Sequence, residues 1–320
     1  MNQIIDATLQ VMCKEDKIMD QQSNVQFLND LKLVGITNIL LNKRLFDILS
    51  DKIPREMKIY IELEPFEETF YSPQVYAFIG KHSNQKVIEK VQLNDIREIR
   101  GLNQIRNESG VLLSGLDDFI CYDFQNKIQY LKEQLKDTPV IIRAENSAFC
   151  ATAMAVECLM AKCGYVVTSF MGIGNLAATE QVVMAARYSG QFRMKQNFEY
   201  FSDMKRLLEN QSNLMIATNT PIIGERIFEV ESGIHVDGIL KSASNYECVS
   251  PKLLGQKRTI ILGKHSGRSS VEYKSAELQL SDLTKVQKDI VLKKIREKSI
   301  QKGTSISDEE FCQIVKEVCI

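Results

Sequence analysis

The sequence predicts a mixed α/β fold built from parallel strands and crossover helices. Over the first ~200 residues, short β-rich runs alternate with helical runs, which is typical of a parallel sheet. About seven strands are visible, at 3–9, 37–41, 58–63, 75–79, 111–114, 140–143 and 166–170. Eight strands would close a (β/α)₈ barrel of the TIM type, which usually takes about 250 residues. We therefore predict a degenerate, shortened TIM-type barrel, and the polar region 82–110 remains unassigned.

Helical patterns lie between these strands and also follow them. They are predicted at 24–34, 123–135, 148–162, 179–188, 196–209 and 281–302. Residues 211–224 read as an extended linker, and a capping box at Ser307 and Glu310 predicts a last helix up to residue 318. The predicted organisation is a barrel at 1–205, a linker at 206–227, a loop-rich post-barrel arm at 228–268, and a helical C-terminal subdomain at 269–320.

Composition excludes several classes of protein. The chain has 40 Lys and Arg residues against 41 Asp and Glu, so no concentrated basic charge indicates a nucleic-acid partner. No apolar run reaches the ~20 residues that cross a membrane. The N-terminus lacks the layout of a signal peptide, so we expect a cytoplasmic protein. The hydrophobic fraction of 44% is sufficient for a packed core.

The eight cysteines indicate neither a disulfide framework nor a zinc site. No two of them form a CxxC pair, which is the spacing that structural zinc sites require. Several lie inside apolar helical patterns. We predict reduced and mostly buried thiols, because free cysteine is among the most buried residue types.

Residues 228–268 carry the strongest functional signal. This stretch contains two of the three histidines, His235 and His265, and a high density of glycine. Glycines outside regular elements indicate turns that need unusual backbone angles, and loops of this kind often carry chemistry. Composition alone leaves two interpretations open, a structural arm whose histidines only form hydrogen bonds and a functional site.

Three motifs of this stretch resemble those of a known family. ESGIHVDGILK, NYE-x-x-SP and GKHSG occur in the order and at nearly the spacing found after the barrel of the Claisen-condensing acyltransferases. These are the 2-isopropylmalate, citramalate and homocitrate synthases, and the homocitrate synthases of nitrogen fixation are the most similar form. The resemblance implies a barrel that binds a divalent metal and a 2-oxo acid, with acetyl-CoA as the second substrate. It also implies a catalytic His and Tyr supplied by the other subunit, which match His235 and Tyr246.

The barrel half departs from the family pattern at its metal ligands. The family's opening D-x-T-L-R-D reads DATLQV here, so Gln10 replaces the Arg and Val11 replaces the metal-binding Asp. The family's H-x-H-N-D corresponds to RAENS, which places Arg143 and Glu145 at the two His positions. Arginine is always cationic and cannot ligate a metal. We predict no metal or cofactor in this chain, and an Arg143–Glu145 ion pair in the former metal site.

Gly172 and Gly174 match the family's N-G-x-G turn after the last barrel strand, so we expect the turn itself to remain. Four further residues are candidates for substrate contact or for orienting His235 by hydrogen bonds: Glu231, Ser232, Asp237 and His265. His265 is expected mainly to order the GKHSG turn. His82 is expected to be a surface residue and not a metal ligand.

An intact arm beside an altered barrel predicts a subunit that is not active alone. The chain would supply His235 and Tyr246 to a homologous, alpha-type barrel subunit that holds the Mg, Mn or Zn ion and condenses acetyl-CoA with a 2-oxo acid, 2-oxoglutarate by resemblance. Two alternatives remain open, a catalytically inactive regulatory or assembly partner of such a synthase and an independent enzyme that works without a metal.

Overall fold

The chain forms two compact units. A computed structural model describes residues 3–17, 19–81, 87–105, 107–115, 117–190, 196–212 and 214–319. The barrel unit comprises Met1–Ile216 and Pro221–Ile223, and the post-barrel unit comprises Ala217–Thr220 and Gly224–Ile320. No helix among the described residues has the length and apolar character needed to cross a membrane. His82, predicted as a surface residue, lies outside the described residues.

Eight parallel strands close the barrel in sequence order, and the first strand pairs with the eighth. The strands are β1 (Ile4–Asp6), β2 (Asn38–Leu41), β3 (Lys58–Glu62), β4 (Val75–Gly80), β5 (Val87–Leu93), β6 (Val111–Gly115), β7 (Val140–Arg143) and β8 (Tyr165–Ser169). A short strand, β9 (Ala177–Ala178), pairs with β8. The predicted TIM-type barrel is confirmed.

Seven strands were predicted from the sequence, and the eighth was overlooked and is not absent. The eighth strand is β5, which lies in the unassigned region and whose sequence VIEKVQL has charged residues at its centre. These charges hid the apolar periodicity that identifies a strand. The predicted first strand at 3–9 is also too long, because a helix begins at Thr8.

The helical layer of the barrel unit is incomplete where the chain is short. Its helices are α1 (Thr8–Lys14), α2 (Gln21–Leu33), α3 (Lys43–Leu49), α4 (Phe124–Leu135), α5 (Ala151–Met160), α6 (Thr179–Tyr188) and α7 (Tyr200–Ser212). Residues 63–74 join β3 to β4 without a helix, and a 3₁₀ segment, Ile96–Gln104, stands between β5 and β6. The shortening therefore affects helices and not strands. The predicted boundary at residue 205 falls inside α7.

One buried side chain from every strand fills the middle of the barrel. This layer consists of Ile5, Leu40, Tyr60, Ile79, Ile88, Leu112, Ile141 and Val167. Side chains two residues further along a strand point to the same side. Glu62, Lys90 and Arg143 stand two positions after members of this layer, on β3, β5 and β7. The apolar layer is therefore followed by a charged one towards the C-terminal end of the barrel.

The post-barrel unit consists mainly of helices around its own core. It contains β10 (Glu229–Val230), α8 (Gly233–Ser242), β11 (Thr259–Ile260), α9 (Arg268–Glu277), α10 (Lys285–Lys302) and α11 (Asp308–Cys319). β10 and β11 pair in parallel. The predicted capping box is confirmed, since the Ser307 amide donates to Glu310 (2.9 Å) and the Glu310 amide donates to Ser307 Oγ (3.2 Å). The expectation of little helical structure between 228 and 268 is wrong, because α8 lies there.

All eight cysteines are free, as predicted, but the expectation that most are buried is wrong. Cys13, Cys158 and Cys163 are buried, whereas Cys121, Cys248 and Cys319 are exposed. Burial depends on which side of each helix faces a neighbour, and a short apolar pattern does not determine this.

Candidate functional site

His235 lies in the first turn of α8, which begins at Gly233. The amide of Gly233 donates to the carbonyl of His265 (3.0 Å), so the start of α8 is bonded to the GKHSG turn. A Cβ atom built on Gly233 would lie 2.5 Å from Gly267 Cα, so the two backbones cross where neither residue has a side chain. The ESG and HSG motifs thus fix the position at which His235 leaves the backbone.

Tyr246 lies beside His235. It follows a 3₁₀ turn, Ala243–Asn245, and its ring lies over Gly238 on α8. A Cβ atom at Gly238 would stand 2.1 Å from the Cζ atom of Tyr246, so only glycine permits this arrangement. The ring centroids of His235 and Tyr246 are 6.0 Å apart, with an interplanar angle of 58°. His235 is exposed, and Tyr246 retains 48% of its accessible surface, so both can meet a ligand.

The residue after Tyr246 is held by an ion pair. Arg258 donates two hydrogen bonds to the Glu247 carboxylate, at 2.5 Å from Nε and 2.8 Å from Nη2. The hydrogen bond from the Arg258 guanidinium to Glu247 also raises the pKa of that guanidinium. This bidentate geometry connects the Tyr246 turn to the segment just before β11 and restricts its orientation. Sequence reasoning did not identify either residue, although Glu247 belongs to the quoted NYE motif.

The four other candidates of the arm come together in a different place. Glu231, Ser232, Asp237 and His265 line one cavity of about 700 Å³, together with Arg296. Neither His235 nor Tyr246 is among the residues that line it. The two predicted groups therefore do not line one common cavity.

The carboxylates of this group have partners other than His235. Glu231 accepts a hydrogen bond from the His265 amide (2.9 Å) and fits against Gly263, where a Cβ atom would lie 2.5 Å from its Oε1. Asp237 accepts bonds from Lys241 Nζ (2.6 Å) and Ser269 Oγ (3.3 Å). The Lys241 hydrogen bond lowers the pKa of the Asp237 carboxyl. Among the hydrogen bonds of the described residues, none joins either carboxylate to His235, and a role of these residues in substrate contact stays a prediction.

The barrel unit contains a second polar cluster, centred on Glu62 at the end of β3. Its carboxylate accepts from Gln10 Nε2 (2.5 Å) and Lys14 Nζ (3.2 Å) on one oxygen. The other oxygen accepts from Lys90 Nζ (2.6 Å) and Arg143 Nη1 (3.0 Å). We call these five residues the Glu62 cluster. They come from β3, β5, β7 and the helix after β1, which are alternate positions around the barrel, as in the layers of a TIM barrel.

Electrostatics fix the charge state of Glu62. The side chain is 2% exposed, and burial alone would raise its pKa. The charges of Arg143 and Lys14 and the hydrogen bond from Lys90 more than offset burial and hold the pKa of Glu62 well below its usual range. The carboxylate is therefore ionised at neutral pH and surrounded by three cations.

The residues at the former metal positions take other roles. Gln10 and Arg143 both donate to Glu62, so the expected Arg143–Glu145 ion pair is wrong. Val11 touches the turn after β8, since a Cβ atom at Gly174 would lie 2.3 Å from Val11 Cγ1. Gly172 and Gly174 have φ angles of +67° and +65°, which confirms that the turn remains. Glu145 contributes a backbone bridge to Leu176.

Neither unit gathers a set of metal ligands in the part of the chain that the structure describes. No group of three or more His, Cys, Asp or Glu side chains that could hold a metal ion occurs among these residues. A guanidinium and two ammonium groups repel a cation instead of binding it. The Glu62 cluster is therefore unsuited to a divalent metal.

The post-barrel unit matches a family model described as "Homocitrate synthase post-HMGL domain-like" over residues 222–318. Over 98% of its length the chain is 27% identical to the homocitrate synthase omega subunit of Clostridium pasteurianum, of which the match covers 95%. It is 34% identical over 76% of its length to homocitrate synthase AksA of Methanocaldococcus jannaschii, but this match covers only 59% of that protein. The chain thus spans little more than half of this longer relative.

Among solved structures, a pyruvate carboxylase of Rhizobium etli is similar with a TM-score of 0.51. That match covers 77% of this chain and 28% of the other, at 9% identity, and supports the barrel fold alone.

The chain thus combines a TIM-type barrel with a post-barrel unit in which a His and a Tyr are adjacent. The post-barrel unit matches the homocitrate synthase family model, and the relatives of the chain include homocitrate synthases and a 2-isopropylmalate synthase. The similarity to an omega subunit extends over nearly the whole chain.

Proposed function

We propose that this protein is an omega-type, non-autonomous subunit of a homocitrate synthase. It supplies His235 and Tyr246 to the barrel of an alpha-type partner subunit, which condenses acetyl-CoA with 2-oxoglutarate. The observation that carries the proposal is a contrast within one chain. His235 and Tyr246 are adjacent and accessible, whereas the mouth of the chain's own barrel is occupied by the Glu62 cluster.

The pair suits the removal of a proton beside a thioester. The imidazole of His235 accepts a proton from the methyl group of acetyl-CoA, since histidine is the side chain that most often serves as a general base. The phenol of Tyr246 donates a hydrogen bond to the oxygen on which negative charge develops. The resulting enolate carbon attacks the keto carbon of the 2-oxo acid, and water then hydrolyses the thioester and releases CoA.

The remaining requirement of this reaction belongs to the partner barrel. A divalent Mg, Mn or Zn ion bound there would polarise the keto group of the 2-oxo acid. This chain's barrel has lost that capacity in our proposal, because Arg143 and Val11 stand at metal positions and Arg143 is ion-paired with Glu62. The barrel is retained as a folded scaffold that associates with a homologous barrel.

The proposal is tested by measuring CoA release with the chain alone, with the alpha-type subunit alone, and with the two mixed. We expect activity only in the mixture. In the mixture, His235→Ala should lower kcat at least 100-fold, because proton transfer by a positioned base contributes about 10²–10⁴-fold. His265→Ala is the comparison variant, since His265 is also exposed in the same unit but lines a cavity that does not include His235.

Two results would contradict the proposal. Full activity of the chain alone would mean that its own barrel is competent. A mixture whose activity survives His235→Ala while still requiring this chain would favour the regulatory or assembly role instead.

A further inference from the structure

The Glu62 cluster carries more positive charge than its carboxylate can neutralise. Among the described residues, Lys90 and Arg143 form ion pairs only with Glu62, and Lys14 pairs with Glu62 and, at 3.7 Å, with Glu64. Three cations against one carboxylate leave a formal charge of +2, or +1 when the exposed Glu64 is counted. An ion-pair cluster that only replaced a lost metal would not need this surplus.

The surplus cations are partly removed from water. The side chain of Arg143 is 13% exposed and that of Lys90 is 29% exposed. Burial of unpaired charge is costly, so a partly buried surplus of one sign indicates a counter-charge that comes from outside. Both residues also retain N–H donors for further hydrogen bonds, because a guanidinium has five such donors and an ammonium has three.

The position of the cluster makes it reachable by a ligand. Glu62 and Arg143 are the last residues of β3 and β7, so the cluster lies at the C-terminal end of the barrel. Lys14 extends from α1 with 43% of its side chain exposed, so water and small solutes reach this edge of the cluster. Glu62 accepts a hydrogen bond from each of the three cations and one from Gln10, and thereby fixes the positions of the cations relative to one another.

We propose that the mouth of this barrel binds a compact anion carrying at least two negative charges, without a metal. The anion contacts Arg143, Lys90 and Lys14 on the side away from Glu62. Carboxylate and phosphate share the chemistry that these groups recognise, since both accept paired bonds from a guanidinium. The barrel would then act as a metal-free anion site within an assembly whose condensation chemistry takes place elsewhere.

Titration of the full-length chain with inorganic phosphate or with citrate tests this, by calorimetry and thermal unfolding at constant ionic strength. We expect saturable binding by the native chain. Arg143→Gln should weaken it at least tenfold and Lys14→Gln severalfold. Arg55→Gln, which removes an exposed arginine that precedes β3 at the other end of the barrel, should change it less than twofold. Tighter binding of phosphate would indicate a phosphate ligand, and tighter binding of citrate would indicate a carboxylate ligand.

Glu62→Gln is the decisive variant, because it removes the competing carboxylate and keeps the side-chain size. We expect tighter anion binding and a thermal stability that rises more steeply with anion concentration than in the native chain. Absence of saturable binding by the native chain would overturn the proposal. Equal losses in Arg143→Gln and Arg55→Gln, or unchanged binding in Glu62→Gln, would also overturn it and identify the cluster as a closed ion-pair group. No partner subunit is needed, so the result is independent of the role of His235.

Discussion

The Glu62 cluster and the His235–Tyr246 pair differ in how far their polar side chains are exposed and in what holds them in place. In the barrel, a nearly inaccessible carboxylate has four hydrogen-bond donors around it. In the post-barrel unit, an exposed imidazole and a half-exposed phenol are held in place by backbone and by Gly238. Groups that satisfy one another contribute to stability, whereas groups left open to solvent are available for chemistry. A substitution in one region should therefore leave the structure of the other region unchanged.

The largest effect is expected from Glu62→Gln, measured by urea unfolding. Removing the carboxylate leaves three neighbouring cations without their counter-charge. Breaking a buried ion pair from one side typically costs 3–5 kcal/mol, and the partial exposure of the cations reduces this, so we expect a loss of about 3 kcal/mol.

Glu64→Gln is the matched control for this prediction. Glu64 lies 3.7 Å from Lys14 but is 54% exposed, so its contribution should be below about 1 kcal/mol. Equal effects of the two substitutions would mean that the Glu62 cluster is not a stabilising feature of the barrel.

A second test uses two buried carboxyls of the barrel unit that differ from Glu62 in charge state. Burial raises the pKa of Asp6 to about 6 and that of Glu180 to about 7. Their folded-state pKa values thus exceed the unfolded ones. The contribution of the two carboxyls to the free energy of unfolding is therefore fully present below about pH 4. It decreases as pH rises through 6 and 7, because the folded chain must then hold buried charge.

Glu180→Gln should remove part of this pH dependence. The Glu180 carboxylate accepts from the Met171 amide (2.9 Å), and the amide oxygen of Gln can accept the same bond. Between pH 4.5 and 8 we expect the unfolding free energy of the variant to fall less than that of the native chain, by on the order of 3 kcal/mol. Parallel pH profiles for the two proteins would contradict this assignment.

In the post-barrel unit, Gly238→Ala should separate activity from stability. The new methyl group would occupy the place of the Tyr246 ring and displace the phenol from His235. A displacement of about 1 Å can cost 10²-fold in rate, so we expect a loss of about 100-fold in the mixed enzyme. Unfolding free energy should stay unchanged or rise by up to about 1 kcal/mol, because alanine favours the helix.

Gly101→Ala is the control for that substitution, since a Cβ atom at Gly101 has no heavy atom within 4 Å. With only three histidines in the chain, NMR of the imidazole protons can also report on the pair directly. The His235 signals should shift in Gly238→Ala and remain unchanged in Gly101→Ala. Unshifted His235 signals in Gly238→Ala would contradict the contact.

The smallest effect is expected at the Glu247–Arg258 pair. Glu247→Arg or Arg258→Glu alone places like charges together, which should cost roughly 1 kcal/mol in stability because the pair is partly exposed. The same change should lower kcat more than it raises KM. The double variant restores opposite charges and should recover most of the lost stability and most of the lost kcat. Additive losses would show that the pair does not position Tyr246.

Sequence patterns predicted much of this protein where a local signal existed. Seven strands of the barrel were visible as apolar runs, and the family resemblance singled out His235 and Tyr246, which the structure places next to each other. β5 was missed because Glu89 and Lys90 interrupt its apolar pattern, and Lys90 is there because it reaches Glu62 in the barrel interior. α8 was missed because the glycines that disfavour a helix by propensity are required for close contacts with Gly267 and Tyr246.

The sequence by itself determined the barrel class, the second unit and the substitutions at the metal positions, because each of these depends on residue type in a local pattern. Only the tertiary structure decided that the barrel closes with eight strands, that Arg143 pairs with Glu62 instead of Glu145, and that Tyr246 rests on Gly238. The physical reason is distance along the chain. Glu62 and Arg143 are 81 residues apart, and nothing local indicates which carboxylate a cation will meet when alternate strands converge at the mouth of a barrel.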